Sequence, residues 1–343
     1  MRAQGRTIGQ GRTIEWYARG DISMARTMTA ELRFNRDLDF KYGVLQGVAP
    51  SVRRIVARNP GPFTFHGTGT YVIGYGRVAV IDPGPALVEH IEALVDGLRG
   101  EIITHVLVTH THRDHSPGCA LLRRFTPAPT YGYGPHGSGR PGADDQTVVE
   151  EGADFDFRPD ITVRDGDVIE CDGFRFECVH TPGHTSNHMC YRLREERALF
   201  CGDHVMGWST TIVSPPDGHM GTYIASLERL LDGDDRTFWP THGAPIPDPK
   251  PHVESLIAHR RRRVREVEAC LRDGLATIPE MVARLYHDLP VKMHPAAARS
   301  VLSTMTLLVE QGDAVREDAA SGTDALDARY APADPDARFR GSG

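Results

Sequence analysis

Residues Thr109–His115 read THTHRDH. The run leaves a β-branched stretch, Ile102–Thr109, which predicts a strand. Three imidazoles and a carboxylate (His110, His112, Asp114 and His115) stand too close together in the chain to share a core. Side chains two apart in extended chain point the same way, so His110 and His112 can share one metal ion. Asp114 and His115, at the turn that follows, can reach a second ion ~3.5–4 Å from the first. Imidazole with carboxylate suits zinc, and also manganese or iron.

Three more loops carry the same chemistry. His180–Thr185 reads HTPGHT after the strand-like Phe174–Val179, and Pro182–Gly183 forces a tight turn that presents His184. Phe200–His204 reads FCGDH and puts Asp203, a carboxylate able to bridge two cations, past a short apolar run. Pro240–Gly243 reads PTHG and places His242 in a turn. Five histidines and two aspartates are enough for two ions that keep positions open for water. Asp82, in VAVIDPG, reads as a carboxylate fixing the tautomer of a ligand histidine, or as a turn-initiating Asp before Pro-Gly. His188 reads as a group that orients a ligand or protonates a leaving group, or as a packing histidine. Trp208 and Thr210 follow the bridging Asp and read as cleft-lining or core residues. His204 should point away from its neighbour Asp203, and His66, His90, His105, His136 and His219 belong to no motif.

Working outward, Tyr71–Ile73 and Val78–Ile81 are joined by Gly74–Gly76, a hairpin signature, and Ala86–Leu98 has one apolar helix face. Ser116 and Pro117 predict a capped helix over Ser116–Phe125, and Tyr223–Leu231 a further helix. Pro135–Gly142 is too rich in Gly and Pro for regular structure. The mixed order of strands and helices suggests two sheets with helices outside them. Past the Pro-rich Pro245–Pro251, three helical runs, His252–Arg272, Thr277–Tyr286 and His294–Gln311, precede a short strand at Ala314–Arg316, the order of a small winged helix. The expected organisation is an extension of doubtful order at 1–43, a catalytic body at 44–250, a winged-helix-like unit at 251–316 and a disordered tail at 317–343.

Composition fits this plan. The 343 residues are 40% hydrophobic and 25% charged with a net charge of −7, ordinary for a globular chain with ample core. No run approaches the ~18 apolar residues of a membrane span, and the negative balance gives no chain-wide attraction to nucleic acid or anionic lipid. Six cysteines without a CxxC pair read as free thiols in a reducing compartment. The first residues carry no apolar secretion signal, and Met24 and Met28 are alternative starts, so a cytoplasmic location follows by default. Oligomeric state is not legible.

The order HTHRDH, HTPGHT, GDH, THG resembles the metallo-β-lactamase superfamily. The resemblance implies an α+β fold, an αββα sandwich with a dinuclear site at one edge. It also implies that His110, His112 and His184 hold one metal, that Asp114, His115 and His242 hold the other, and that Asp203 bridges. Arg58–Tyr71 (RNPGPFTFHGTGTY) and the winged-helix-like unit resemble, more narrowly, the lactamase-like hydrolases related to β-lactamase-like protein two, a branch that includes a ribonuclease. Two positions depart from that branch: Gly69, where it often has Asn, and Thr241, where Gly is commoner and where the change is expected to matter little to metal binding.

The chemistry expected is hydrolysis by a metal-bridging hydroxide. Water between two cations ionises near neutral pH, against ~15.7 in bulk, and Asp114 orients it. No GxSxG nucleophile motif is present. Two divalent ions, zinc first and iron or manganese as alternatives, act on a small-molecule ester, thioester or lactone. One alternative is an endoribonuclease, invited by His259–Arg265 (HRRRRVR), although residues 252–316 carry only 10 basic against 8 acidic residues. Another is an iron-dependent sulfur dioxygenase, which a complete second ligand set argues against.

Overall fold

The computed structural model describes residues 32–140, 152–318 and 325–333. Among them, seven strands lie side by side in chain order: Gln46–Ala49 (β1), Val52–Val56 (β2), Gly69–Ile73 (β3), Arg77–Ile81 (β4), Ile102–Leu107 (β5), Thr130–Gly132 (β6) and Ile161–Thr162 (β7). β1 to β4 are antiparallel, and β3–β4 is the expected hairpin. From β4 onward the pairs are parallel, which requires crossovers. The first crossover carries the helix Val88–Gly97 (α1) and the second the short helix Gly118–Leu122 (α2).

A second sheet contains Val168–Cys171 (β8), Phe174–His180 (β9), Met189–Leu193 (β10), Ala198–Gly202 (β11), Thr237–Pro240 (β12) and Ile246–Pro247 (β13), also neighbours in chain order. The sheets face each other through one apolar layer: Tyr71, Ile73, Ile81 and Leu107 from the first, Phe176, Tyr191, Phe200 and Trp239 from the second. Fully burying such a side chain contributes about 1.5–3 kcal/mol. The outer face of the first sheet is covered by α1 and α2 through Ile91, Leu94 and Leu122. The outer face of the second is covered by Met220–Leu230 (α3) and Pro249–Arg272 (α4) through Tyr223, Leu227, Val253 and Leu256. The result is an αββα sandwich, as expected.

The helices Ile278–Leu285 (α5) and His294–Gln311 (α6) pack with the end of α4 around Cys270, Met281, Val301 and Met305. Thr277 and Glu280 close a reciprocal capping box at the start of α5. The strand Ala314–Arg316 (β14) pairs with Tyr330–Pro332 (β15). That pairing corrects the expectation of a wholly disordered tail. Ala328 and Tyr330 are buried, and their burial with the backbone ladder outweighs the Asp- and Pro-rich surroundings. The rest of that segment, 319–324 and 334–343, lies outside the described residues.

Two other expectations are corrected. Within the extension 1–43, residues 32–43 lie on the body. Asn35 N–H donates to Gly207 O at 2.8 Å, the Tyr42 hydroxyl donates to His66 O at 2.7 Å, and Leu32 packs against the α3–α4 layer. Residues 1–31 lie outside the described residues. Ser116 does not cap α2: its hydroxyl donates to the Asp154 carboxylate at 2.6 Å, a charged acceptor that holds it away from the helix N–H groups, and α2 begins at Gly118. Of the loop expected over 135–142, residues 135–140 are described and irregular.

Candidate metal centre

Loops after β4, β5, β9, β11 and β12 deliver Asp82, His110–His115, His184, Asp203 and His242 to one edge of the sandwich. Glycine makes two of these loops possible. A Cβ at Gly183 would lie 2.3 Å from the Tyr223 backbone, and one at Gly202, where φ is +51°, 2.5 Å from His188 Nε2.

His110, His112 and His184 form one group, with ligand atoms all within 4.8 Å of one another. His112 Nδ1 lies 2.9 Å from His110 Nε2 and 3.1 Å from His184 Nε2. The other ring nitrogens fix the tautomers. His184 Nδ1 faces the Ile212 carbonyl at 2.6 Å and must carry the proton there. The Thr109 hydroxyl donates to Asp82 Oδ2 at 2.7 Å, so its oxygen is left to accept from His110 Nδ1 at 3.1 Å. Burial and repulsion from His112 push His184 down to about 4, and burial and His115 hold His110 well below the usual histidine range. Both Nε2 atoms therefore present lone pairs at neutral pH, aimed at the same point.

Asp114, His115, Asp203 and His242 form the second group. His242 Nε2 is 3.0 Å from Asp114 Oδ2 and 3.4 Å from Asp203 Oδ2, and His115 Nε2 is 3.5 Å from each carboxylate. Asp203 Oδ2 is also 3.8 Å from His184 Nε2, so one carboxylate borders both groups. Burial opposes charge on His242, but Asp203 and Asp114 outweigh it and raise its pKa to about 10. His115 is likewise raised well above the usual range, against burial, by Asp114, Asp203 and Asp82. The two carboxylates are held well below theirs, again against burial, by His115 and His242. His115 Nε2, His242 Nε2 and Asp203 Oδ1 are buried without a hydrogen-bond partner. Converging lone pairs and orphaned buried polar atoms are what a cation would satisfy, and the donor types suit divalent ions. The residues fit a dinuclear metal site.

Asp82 is the hub behind both groups. It is fully buried and accepts from Thr109 N–H (2.8 Å), the Thr109 hydroxyl, His115 Nδ1 (2.9 Å) and the Thr241 hydroxyl (3.0 Å). The last bond ties Thr241 to the carboxylate that accepts from His115. His188 lies behind Asp203: its Nε2 accepts from Asp203 N–H at 3.2 Å and its Nδ1 meets the Thr181 hydroxyl at 2.8 Å. Both ring nitrogens are engaged and the ring is fully buried. His204 is buried behind the site and outside both groups, and burial pushes it down to about 3. Trp208 is buried, with its ring stacked 4.7 Å from that of Phe65. His136, which belongs to no motif, lies with its ring 6.2 Å from that of His112 and its Nδ1 3.0 Å from the Thr111 hydroxyl. Only the fold brings it there. Among the described residues no helix is long and apolar enough to cross a membrane.

Residues 64–242 match the family model of the metallo-beta-lactamase superfamily, and residues 277–323 match that of the beta-lactamase associated winged helix domain. The atrochrysone carboxyl ACP thioesterase of Claviceps purpurea is 31% identical over 253 residues, covering 71% of this chain and 74% of that protein. The lactamase-like protein adaB of Aspergillus niger is 32% identical over 283 residues, 78% of this chain and 82% of that one. A beta-lactamase domain protein from Burkholderia ambifaria shares the fold with a TM-score of 0.68 at 23% identity, over 86% of this chain and 95% of that chain.

Proposed function

The chain belongs to the metallo-β-lactamase superfamily and is a metal-dependent hydrolase, and from that premise we propose that it cleaves thioesters of small-molecule acyl groups, with esters and lactones as chemical neighbours. In this reading His110, His112 and His184 hold one divalent cation, Asp114, His115 and His242 hold the other, and Asp203 serves both. Zinc is the cation proposed, since imidazole and carboxylate sets of this size are its usual hydrolytic ligands. When bound, such a pair supplies water ionised near neutral pH and positive charge for a developing oxyanion.

The observation that carries the reading is the convergence at one edge of two ligand groups, His110, His112 and His184 beside Asp114, His115, Asp203 and His242, with His115 Nε2, His242 Nε2 and Asp203 Oδ1 buried there without a well-formed hydrogen bond. Asp114 is a quarter exposed. It orients the incoming water and passes that water's proton to the departing group. A departing thiolate, whose thiol has a pKa of ~8.5, asks little of a general acid. That suits a site in which His188 is committed on both ring nitrogens.

The bond class is supported by the Claviceps relative, named as a thioesterase. A small substrate is favoured over RNA because three arginines of the run on α4 already have carboxylate partners, which leaves little unpaired positive charge there. Arg261 pairs with Glu228, and Arg262 and Arg263 with Glu266. Six free thiols fit the reducing cytoplasm. The test is a panel of acyl thioesters, lactones, aryl esters and RNA offered to zinc-loaded protein at two salt concentrations. Thioester turnover insensitive to salt, with RNA intact, is expected. Cleaved RNA with untouched thioesters overturns the reading.

A further inference from the structure

We infer that Arg260, on the helix leading into the C-terminal unit, is a positioning residue that sets His184 and Asp203 through the Thr211–Ile212 backbone. The inference rests on reading those two residues as metal ligands. The buried stripe of α4 runs through Val253, Leu256, Ile257, Arg260 and Val267, so an arginine occupies a place its periodicity reserves for an apolar side chain. Arg260 is 4% exposed, and its Nε has no hydrogen-bond partner. The three arginines after it each pair with a glutamate, whereas among the described residues Arg260 meets no carboxylate. A buried, uncompensated cation opposes folding, and an apolar residue would pack there at less cost.

What Arg260 touches explains the choice. Its Nη2 donates to the Thr211 carbonyl, and its guanidinium lies 5.3 Å from the Tyr223 ring centre. The Thr211 hydroxyl donates to Asp203 O at 2.7 Å, and the next carbonyl, Ile212 O, takes the Nδ1 proton of His184 at 2.6 Å. Two adjacent residues thus hold one member of each ligand group, and a single side chain from α4 pins the peptide between them. Tyr223 closes the arrangement by donating to His204 O, one residue past Asp203, at 2.9 Å. The contact makes the tautomer of His184 and the backbone of Asp203 depend on where α4 sits.

Arg260→Met keeps the stem and removes the donor. Cobalt(II), whose visible bands report ligand geometry, serves as the probe. Shifted bands are expected, with cobalt released to a chelator about tenfold faster, kcat about tenfold lower and KM within about twofold. Arg260→Lys, which keeps a charged donor, should restore part of each. Wild-type bands and release rate in Arg260→Met overturn the inference. So does a fall in Tm while the folded fraction keeps wild-type bands, which would leave Arg260 a packing role alone. If Arg260→Met yields no folded protein, Thr211→Val cuts the Asp203 arm of the relay without touching α4 and Arg260→Lys perturbs the His184 arm, and unchanged spectra in both overturn the inference. His184→Ala separates the two layers: if it retains two cobalt ions per chain, the ligand reading itself falls, whereas its loss of cobalt beside an unchanged Arg260→Met removes only the role of Arg260.

Discussion

The two ligand groups lie side by side, yet they are charged in opposite ways. The first is imidazole alone, and His110 and His184 are kept neutral by burial. The second sets two carboxylates against two imidazoles that hold their protons well above the ordinary histidine range. A cation entering the first finds lone pairs already exposed. A cation entering the second must first expel protons that Asp114 and Asp203 hold in place. The second group is thus self-neutralised without metal. The raised histidines stabilise the metal-free fold fully below about pH 6.5 and lose that effect as pH climbs through about 10 for His242. The depressed aspartates stabilise it above about pH 3.8 and lose the effect at more acid pH.

Asp203 is where the contrast is easiest to break, since its Oδ2 borders both groups. Asp203→Ala is expected to lower kcat by about 10³-fold or more, and elemental analysis should find the second ion missing while the first stays. Two ions retained at full occupancy would mean that the groups are not divided as described. A gentler probe leaves the sequence intact. Binding of the second ion should release about two protons, so its affinity should rise up to about a hundredfold per pH unit near neutrality, while that of the first barely moves. Calorimetry in buffers of different ionisation enthalpy counts those protons, and equal release from both sites would erase the contrast.

How much of this was legible follows from the range of each interaction. Each of the four loops carries its ligand beside a strand end and a turn, so HTHRDH, HTPGHT, GDH and THG could be read locally, as could the β3–β4 hairpin and the three C-terminal helices. The hydroxyl of Thr241 reaches Asp82 across 159 positions, and Arg260 reaches Thr211 across 49, which no local pattern encodes. One clue was present: a 3.6-residue period from Val253 and Leu256 puts Arg260, not its three neighbours, on the buried face of α4. β15 was obscured for the opposite reason. Its composition reads as disordered, and only pairing with β14 and the burial of Tyr330 order it. The two departures from the branch pattern turn out to touch, for Gly69 N–H donates to Thr241 O at 2.8 Å and a Cβ at 69 would crowd that oxygen at 3.1 Å.

Asp82 gives the finest test of the asymmetry, because it supports the groups unequally. It takes the Nδ1 proton of His115 directly, but it reaches His110 only through the Thr109 hydroxyl. A carboxylate accepts at both oxygens, and all four of its donors depend on that. Asp82→Asn keeps the shape and loses one acceptor and the charge. The amide then turns its NH2 either to the backbone N–H of Thr109 or to the three donors gathered on Oδ2, and the single remaining oxygen favours the three. His115 keeps a bond, now to a neutral acceptor, and becomes a less basic ligand. His110 keeps its bond to Thr109 unchanged. Stepwise cobalt titration should therefore show the second ion bound about tenfold more weakly and the first within about twofold. Equal weakening of both would make Asp82 a support for the whole edge and remove the distinction between the groups at their shared foundation.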